Sequence, residues 1–195
     1  ETEIPAEVEY MTGLIMFDGE QWVIYPYAYG EDKAIVGVAQ PEDIVVNVTE
    51  GEISAAVEAE KAKVAKVGKI TVNLTAGAAY TIANTIEAPA GIIINGNGAT
   101  IDASALGANF IQSAVTEEAK TVDSIAVLNV TVKGLGKALY YSAGKNIGIS
   151  NFVVDNSVIE MAKDVVVFDF TKGSAAMNFA VKNSTIYAPT ATTKS

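Results

Sequence analysis

The back half of this chain superimposes on itself with a shift of 27 residues, and few folds can accommodate such a repeat. Ser124-Ile125-Ala126-Val127-Leu128-Asn129-Val130-Thr131-Val132 becomes Asn151-Phe152-Val153-Val154-Asp155-Asn156-Ser157-Val158-Ile159, and then Asn178-Phe179-Ala180-Val181-Lys182-Asn183-Ser184-Thr185-Ile186. The three copies align without a gap. Apolar residues recur as Ile125/Phe152/Phe179, Val127/Val154/Val181 and Val132/Ile159/Ile186, the alternation of short strands with one face inward. Leu139-Tyr140-Tyr141 falls on Val166-Val167-Phe168 at the same 27, Phe110-Ile111-Gln112 precedes them at a slightly longer spacing, and Gly91–Asp102 forms a looser earlier copy.

Strand alternation at this period, without helical patterning, predicts a parallel β-solenoid. One turn cannot bury its inner face alone, but turns stacked about 4.8 Å apart make a continuous core. Asn129, Asn156 and Asn183 recur where the chain must bend sharply. Asn tolerates the left-handed backbone conformation, and its amide can bond that of the next turn, so the three are read as a structural Asn ladder. Ordinary hairpins would require two-residue turns between the copies, and those are missing.

Ahead of the repeat, residues 52–67 place Ile53, Ala56, Val57, Val64 and Val67 among Glu and Lys, a pattern that predicts a helix stopped by Gly68 and laid over the apolar end of the first turn as a cap. Leu14–Tyr25 reads as a hairpin turning at Asp18-Gly19, and Ile44–Val48 as a further strand. The expected organisation is a β-hairpin and strand segment over residues 1–50, then a solenoid over 51–195 with turns from about 69 to 190. After Pro189 the chain turns polar, with neither an apolar helix nor a strand to cover the last turn. Either further chain or a second copy, by self-association through that uncapped C-terminal end, is expected to cover it.

Glu52–Ala59, Gly68–Leu74, Gly77 with Tyr80, Thr85-Ile86 and Ile92-Ile93-Ile94-Asn95-Gly96-Asn97-Gly98-Ala99-Thr100-Ile101 together resemble the opening of right-handed parallel β-helices of the pectin-lyase-like superfamily. The nearest likeness is to β-helix domains of Bacteroidetes surface lipoproteins. It covers roughly residues 52–187 and implies an all-β, right-handed, single-stranded parallel β-helix with an N-terminal capping helix. It also implies export to the cell surface, periplasm or exterior. The superfamily includes lyases, hydrolases, esterases and non-catalytic proteins, so the likeness bears on fold more than on activity.

Composition narrows the chemistry. The 195 residues carry 13 Lys against 23 Asp plus Glu, a net charge of −10, and contain no Arg, His or Cys. The charge opposes binding to nucleic acid or anionic lipid. The missing residue types remove disulfides, thiolate and Ser-His nucleophiles, His metal ligands and Arg clamps. No apolar run reaches the 18 residues of a membrane span, and Glu1-Thr2-Glu3 is unlike the start of a signal peptide, so an exported form is expected to have lost its leader.

Outward positions should stack Leu128, Asp155 and Lys182 in one column and Lys133, Glu160 and Tyr187 in another, pairing Asp155 with Lys182 and Lys133 with Glu160 as exposed cross-turn ion pairs. Asp169 faces outward with no second acid in its column, so no two-carboxylate hydrolase site is visible. Lyases that resemble this fold commonly use Arg as base beside calcium carboxylates, and that pattern fails here. Glu117, Glu118 and Asp123, in the stretch from Ala103 to Asp123, are the acids this alignment cannot place. Asn47, Asn73, Asn129 and Asn183 each begin an Asn-x-Ser/Thr triplet, but two of these are ladder residues with their amides engaged. Gly96-x-Gly98 is a bend rather than a dinucleotide loop.

Aromatic residues suit a sugar better. Tyr25, Tyr27 and Tyr29 alternate onto one strand face beside Trp22 and, with Tyr140 and Tyr141, form the candidate carbohydrate contacts. The expectation is therefore an exported, non-catalytic module with a polysaccharide as its partner and neither metal nor cofactor. The alternatives are a lyase or glycoside hydrolase acting on acidic polysaccharide, and a structural spacer or adhesin segment.

Overall fold

The computed structural model describes residues 13–17, 22–26, 41–113, 121–142, 147–162, 168–169 and 175–189. The chain divides into two compact units, Glu1–Gln40 and Pro41–Ser195. In the first, strands β1 (Gly13–Phe17) and β2 (Trp22–Pro26) pair antiparallel, with Leu14 opposite Tyr25 and Phe17 opposite Trp22, as the sequence indicates. The expected turn at Asp18-Gly19 lies outside the described residues.

The second unit is a β-solenoid of about five turns. It begins with β3 (Glu42–Val48), helix α1 (Ile53–Lys61), β4 (Val67–Leu74), β5 (Ala79–Thr81) and β6 (Ile86–Glu87). It continues through β7 (Ile92–Asp102), β8 (Ile111–Ser113), β9 (Thr121–Leu135), β10 (Tyr140–Ser142) and β11 (Gly148–Asp155). The last strands are β12 (Val158–Met161), β13 (Phe168–Asp169), β14 (Ala175–Lys182) and β15 (Thr185–Tyr187).

One wall stacks β3, β4, β7, β9, β11 and β14, all parallel. Along it run two inward apolar columns: Ile44, Ile70, Ile92, Ile125, Phe152, Phe179 and Val46, Val72, Ile94, Val127, Val154, Val181. A second wall continues the stack after the bend, with Tyr80, Ile101, Val132, Ile159 and Ile186 in register. A third, short sheet orders β6, β8, β10 and β13, with Ile86, Ile111, Tyr140 and Phe168 in one column and Glu87, Gln112, Tyr141 and Asp169 in the next. Sequence alignment at 27 sets Tyr141 on Phe168. The structure sets Tyr140 there, a slip of one residue that exchanges the inward and outward faces of that copy.

The stack starts before the sequence boundary at residue 50, because β3 forms its first rung against β4. The helix ends at Lys61, with Ala62 as its C-cap, rather than near residue 67; Val64 and Val67 still pack against the core, but from non-helical backbone. Gly68 belongs to β4 and serves a close approach, since a Cβ there would lie 2.8 Å from the carbonyl oxygen of Glu42. The capping role of the helix is borne out: Ile53 and Val57 are fully buried, and Glu52 closes the helix N-terminus. Its carboxylate accepts hydrogen bonds from the backbone N–H groups of Ser54, Ala55 and Ala83, tying the cap to the next turn.

The bend between the first two walls is set by backbone geometry. Asn97, Asn129, Asn156 and Asn183 all have φ between 48° and 53°, in the left-handed region that costs most side chains about 1–2 kcal/mol. Asn156 donates from Nδ2 to Asn129 Oδ1 at 3.0 Å as the ladder requires, but Asn183 turns instead to Asp155 Oδ1 at 3.0 Å. These Asn side chains are exposed; the buried polar group at the bend is Ser157. Its hydroxyl accepts from the Val130 N–H and donates to the Asp155 carbonyl, while its own N–H bonds Ser184 Oγ one turn on.

Two stability predictions follow from this geometry. Ser157→Ala leaves the Val130 N–H without its acceptor inside the wall, an expected loss of about 1–3 kcal/mol, whereas Asn156→Gly keeps the positive φ available and should cost less than about 1 kcal/mol. Urea unfolding of the two variants checks the order. At the cap, burial of the Glu52 carboxylate raises its pKa, but the hydrogen bonds from Ser54, Ala83 and Ala55 outweigh this and hold it below the ordinary value of 4.5. A lowered folded-state pKa means stabilisation that is fully present above the ordinary Glu value and lost as pH falls through the lower, folded-state pKa. Glu52→Gln should therefore be less stable than the parent at pH 7, with a deficit that shrinks as the pH falls below the ordinary Glu value, and urea midpoints across that range are the measurement.

Candidate functional site

The outer walls are dressed mainly with polar side chains that bond along the stack. Asn73 donates to Asn47 at 3.0 Å and Asn95 to Asn73 at 2.8 Å, a ladder missed in the sequence because its spacings are 26 and 22 rather than 27. A third ladder runs from Asn151 to Ser124 at 3.4 Å and from Asn178 to Asn151 at 3.1 Å. The expected column Leu128–Asp155–Lys182 is present, with Lys182 Nζ 3.8 Å from Asp155. The Lys133–Glu160 pairing is not. Gly134, at φ +67°, sits where the register shifts in that wall; Lys133 lies opposite Asp102, and Glu160 accepts the Tyr187 hydroxyl at 2.9 Å. That bond holds the Tyr187 phenol above its usual pKa.

Of the acids left unplaced by sequence, Glu117 and Glu118 lie outside the described residues. Asp123 is 3.3 Å from Lys69 Nζ, which also approaches Asp43 at 3.8 Å. Between the rungs of Lys69 and Asp123 stands Gly91, where a Cβ would fall 2.6 Å from the Ser124 carbonyl oxygen. A side chain there is excluded, and the lysine spans the gap.

The candidate aromatics are divided between the two units of the chain. Trp22 and Tyr25 are in β2, while Tyr27 and Tyr29 lie outside the described residues. Tyr140 points inward and is fully buried: its ring meets Phe152 edge-on at 5.7 Å and its hydroxyl is hydrogen-bonded to Ser113. Burial raises its pKa, opposed by hydrogen bonds with Ser113 and Ser142. It cannot meet a ligand. Because β10 has only three residues, alternation turns its central residue, Tyr141, to the outside, where it is half-buried.

Tyr141 therefore stands in the outward column Glu87–Gln112–Tyr141–Asp169. Gln112 donates to Glu87 Oε1 at 2.9 Å, so the column presents an amide and a carboxylate on one side of the ring and a carboxylate on the other. Glu87 also lines a cleft of about 320 Å³ between the cap helix and β6, together with Ser54, Ala55, Glu58, Lys61, Asn84 and Thr85. Lys61 is paired with Glu58 at 2.8 Å, its side chain 16% exposed against 59% for the glutamate. Neither Glu87 nor the cleft stood out in sequence, because both depend on α1 meeting a strand some thirty positions away.

A flat aromatic beside planar hydrogen-bonding groups suits the apolar face and hydroxyl rim of a sugar ring. Glu87 and Asp169 are three rungs apart, roughly 14 Å, beyond the 5–10 Å over which paired carboxylates cleave glycosides. No group of three or more His, Cys, Asp or Glu able to hold a metal is found among the described residues. No described helix is long and apolar enough to cross a membrane.

Residues 52–189 match the model of a family described as a domain of unknown function, DUF4957. No curated protein and no solved structure matches the chain.

Proposed function

Since the chain belongs to the DUF4957 family, whose description assigns no activity, we propose from the site itself that this domain is a non-catalytic carbohydrate-binding module. The observation that carries this reading is Tyr141, half-buried on the outer face of the short sheet between Gln112 and Asp169. Gln112 and Asp169 flank it in register on the neighbouring rungs, and an aromatic side chain has few rotatable bonds to immobilise when a sugar stacks on it. Outward placement also isolates it from the apolar columns.

The separation of the acids in this column supports binding over cleavage. An exported or surface location fits a module whose ligand is a polysaccharide, and the pectin-lyase-like resemblance fits the stacked architecture. The inter-turn ladders favour one further reading, a structural spacer or adhesin segment, in which the outer side chains only stiffen the rod.

Glycan-array binding with quantitative follow-up distinguishes these readings. The parent is expected to bind a glycan without releasing products, and Tyr141→Ala should weaken binding at least tenfold with an unchanged melting temperature. Binding unaffected by Tyr141→Ala but lost in Tyr25→Ala would move the site to the N-terminal unit. Absence of any glycan binding would favour the spacer. Turnover of pectin, alginate or glycosaminoglycans, read as unsaturated products or new reducing ends, would overturn the non-catalytic reading.

A further inference from the structure

Glu87 belongs to two features at once. It is two rungs from Tyr141 in the outward column, roughly 10 Å along the stack, and it forms one wall of the cleft beside the cap helix. A ligand stacked on Tyr141 and extended along the column therefore leads into that cleft. At about 320 Å³ the cleft lies at the small end of the range for small-molecule sites, about 300–1,000 Å³. Its polar lining comes from Ser54, Glu58, Lys61, Asn84, Thr85 and Glu87.

The charges select among sugars. Lys61 is engaged by Glu58 at 2.8 Å, while Glu87 has no cation within 4.0 Å among the described residues and accepts only the neutral amide of Gln112. The cleft is thus left with one negative charge unneutralised, in a chain of net charge −10. A uronate carboxylate seated there would face Glu87 as a like charge. A protonated amine would form a charge-assisted hydrogen bond to it.

We propose that the cleft is a terminal subsite for an oligosaccharide bearing free amino groups, the amine seated against Glu87 and a neighbouring ring stacked on Tyr141. This rests on the carbohydrate-binding reading and specifies the ligand class.

The test is calorimetry on the whole chain with three oligosaccharides of equal length: a free-amine hexosamine oligomer, its N-acetylated counterpart and a uronate oligomer, with pentalysine as a non-sugar cation. The free-amine oligomer should bind at least tenfold tighter than the acetylated one, and raising the salt from 50 to 500 mM should erase most of that advantage. Glu87→Gln keeps an acceptor for Gln112 and should abolish the preference, bringing the free-amine and acetylated oligomers to within about twofold of each other. Equal affinity for the amine and acetyl forms, a preference that survives Glu87→Gln, or pentalysine binding as tightly as the amino sugar would overturn the inference while leaving Tyr141-dependent glycan binding standing. If no oligosaccharide binds, the carbohydrate-binding reading falls with it, and if Tyr141→Ala leaves binding unchanged, the inference falls because its site lies elsewhere. Should Glu87→Gln fail to fold, the salt dependence of the parent decides alone.

Discussion

Everything in the solenoid depends on parallel, in-register stacking of strands that cannot stand alone. A single turn contributes only a handful of inward apolar residues, such as Ile125, Val127, Val132 and Tyr140, each worth about 1.5–3 kcal/mol when buried, against the conformational entropy of more than twenty ordered residues. Only when Ile70 is covered by Ile44 and Ile92, and Phe152 by Ile125 and Phe179, do the columns close over one another. The same stacking satisfies the backbone, since each wall strand bonds the rungs beside it. The outermost described rung shows the consequence: Phe179 and Val181 occupy the inward columns yet are 47% and 41% exposed, whereas Phe152 and Val154 one rung earlier are fully buried.

Corners are where such a stack is most exposed to failure, because a sharp turn repeated at one place leaves buried backbone groups in need of partners. Here two residue types divide the task. Asn takes the left-handed conformation at four successive bends, and Ser157 and Ser184 behind two of them supply hydroxyls to the N–H groups of the preceding rung. At the other end of the stack, α1 supplies apolar cover through Ile53 and Val57, while Glu52 binds the cap to the backbone at Ala83. Among the described residues no buried side-chain nitrogen or oxygen lacks a hydrogen-bond partner.

How much of this could be read from sequence depended on whether loop length stayed constant. From Ile125 to Phe152 to Phe179 each step is 27 residues, and strands, bends and inward columns were all legible. From Ile44 to Ile70 to Ile92 to Ile125 the steps are 26, 22 and 33, so the first rungs and their Asn47–Asn73–Asn95 ladder were hidden by connections that vary while the strands do not. The short third sheet was misphased for a related reason. Two- and three-residue strands such as β10 and β13 carry too little alternation to fix a register, and a one-residue slip exchanges buried Tyr140 with outward Tyr141. Gly68 is a further case: sequence cannot distinguish a glycine that ends a helix from one that lets two strands approach.

The candidate site was less legible than the fold because the two obey different rules. Core positions are dictated by periodicity, whereas outward positions are constrained only by what lies one rung above and below. A polar residue there can as readily belong to a ladder, as Asn151 does, as to a binding surface. What separates Tyr141 and Glu87 from the ladders is position: one is an aromatic in a column of hydrogen-bonding groups, and the other lies where the cap helix breaks the regularity of the stack. Neither contributes to the inward columns, so the apolar core places no demand on the identity of either side chain. In a solenoid of this kind the inward columns fix the stack while the outward positions are free to vary, so sharing the stack does not imply sharing a function.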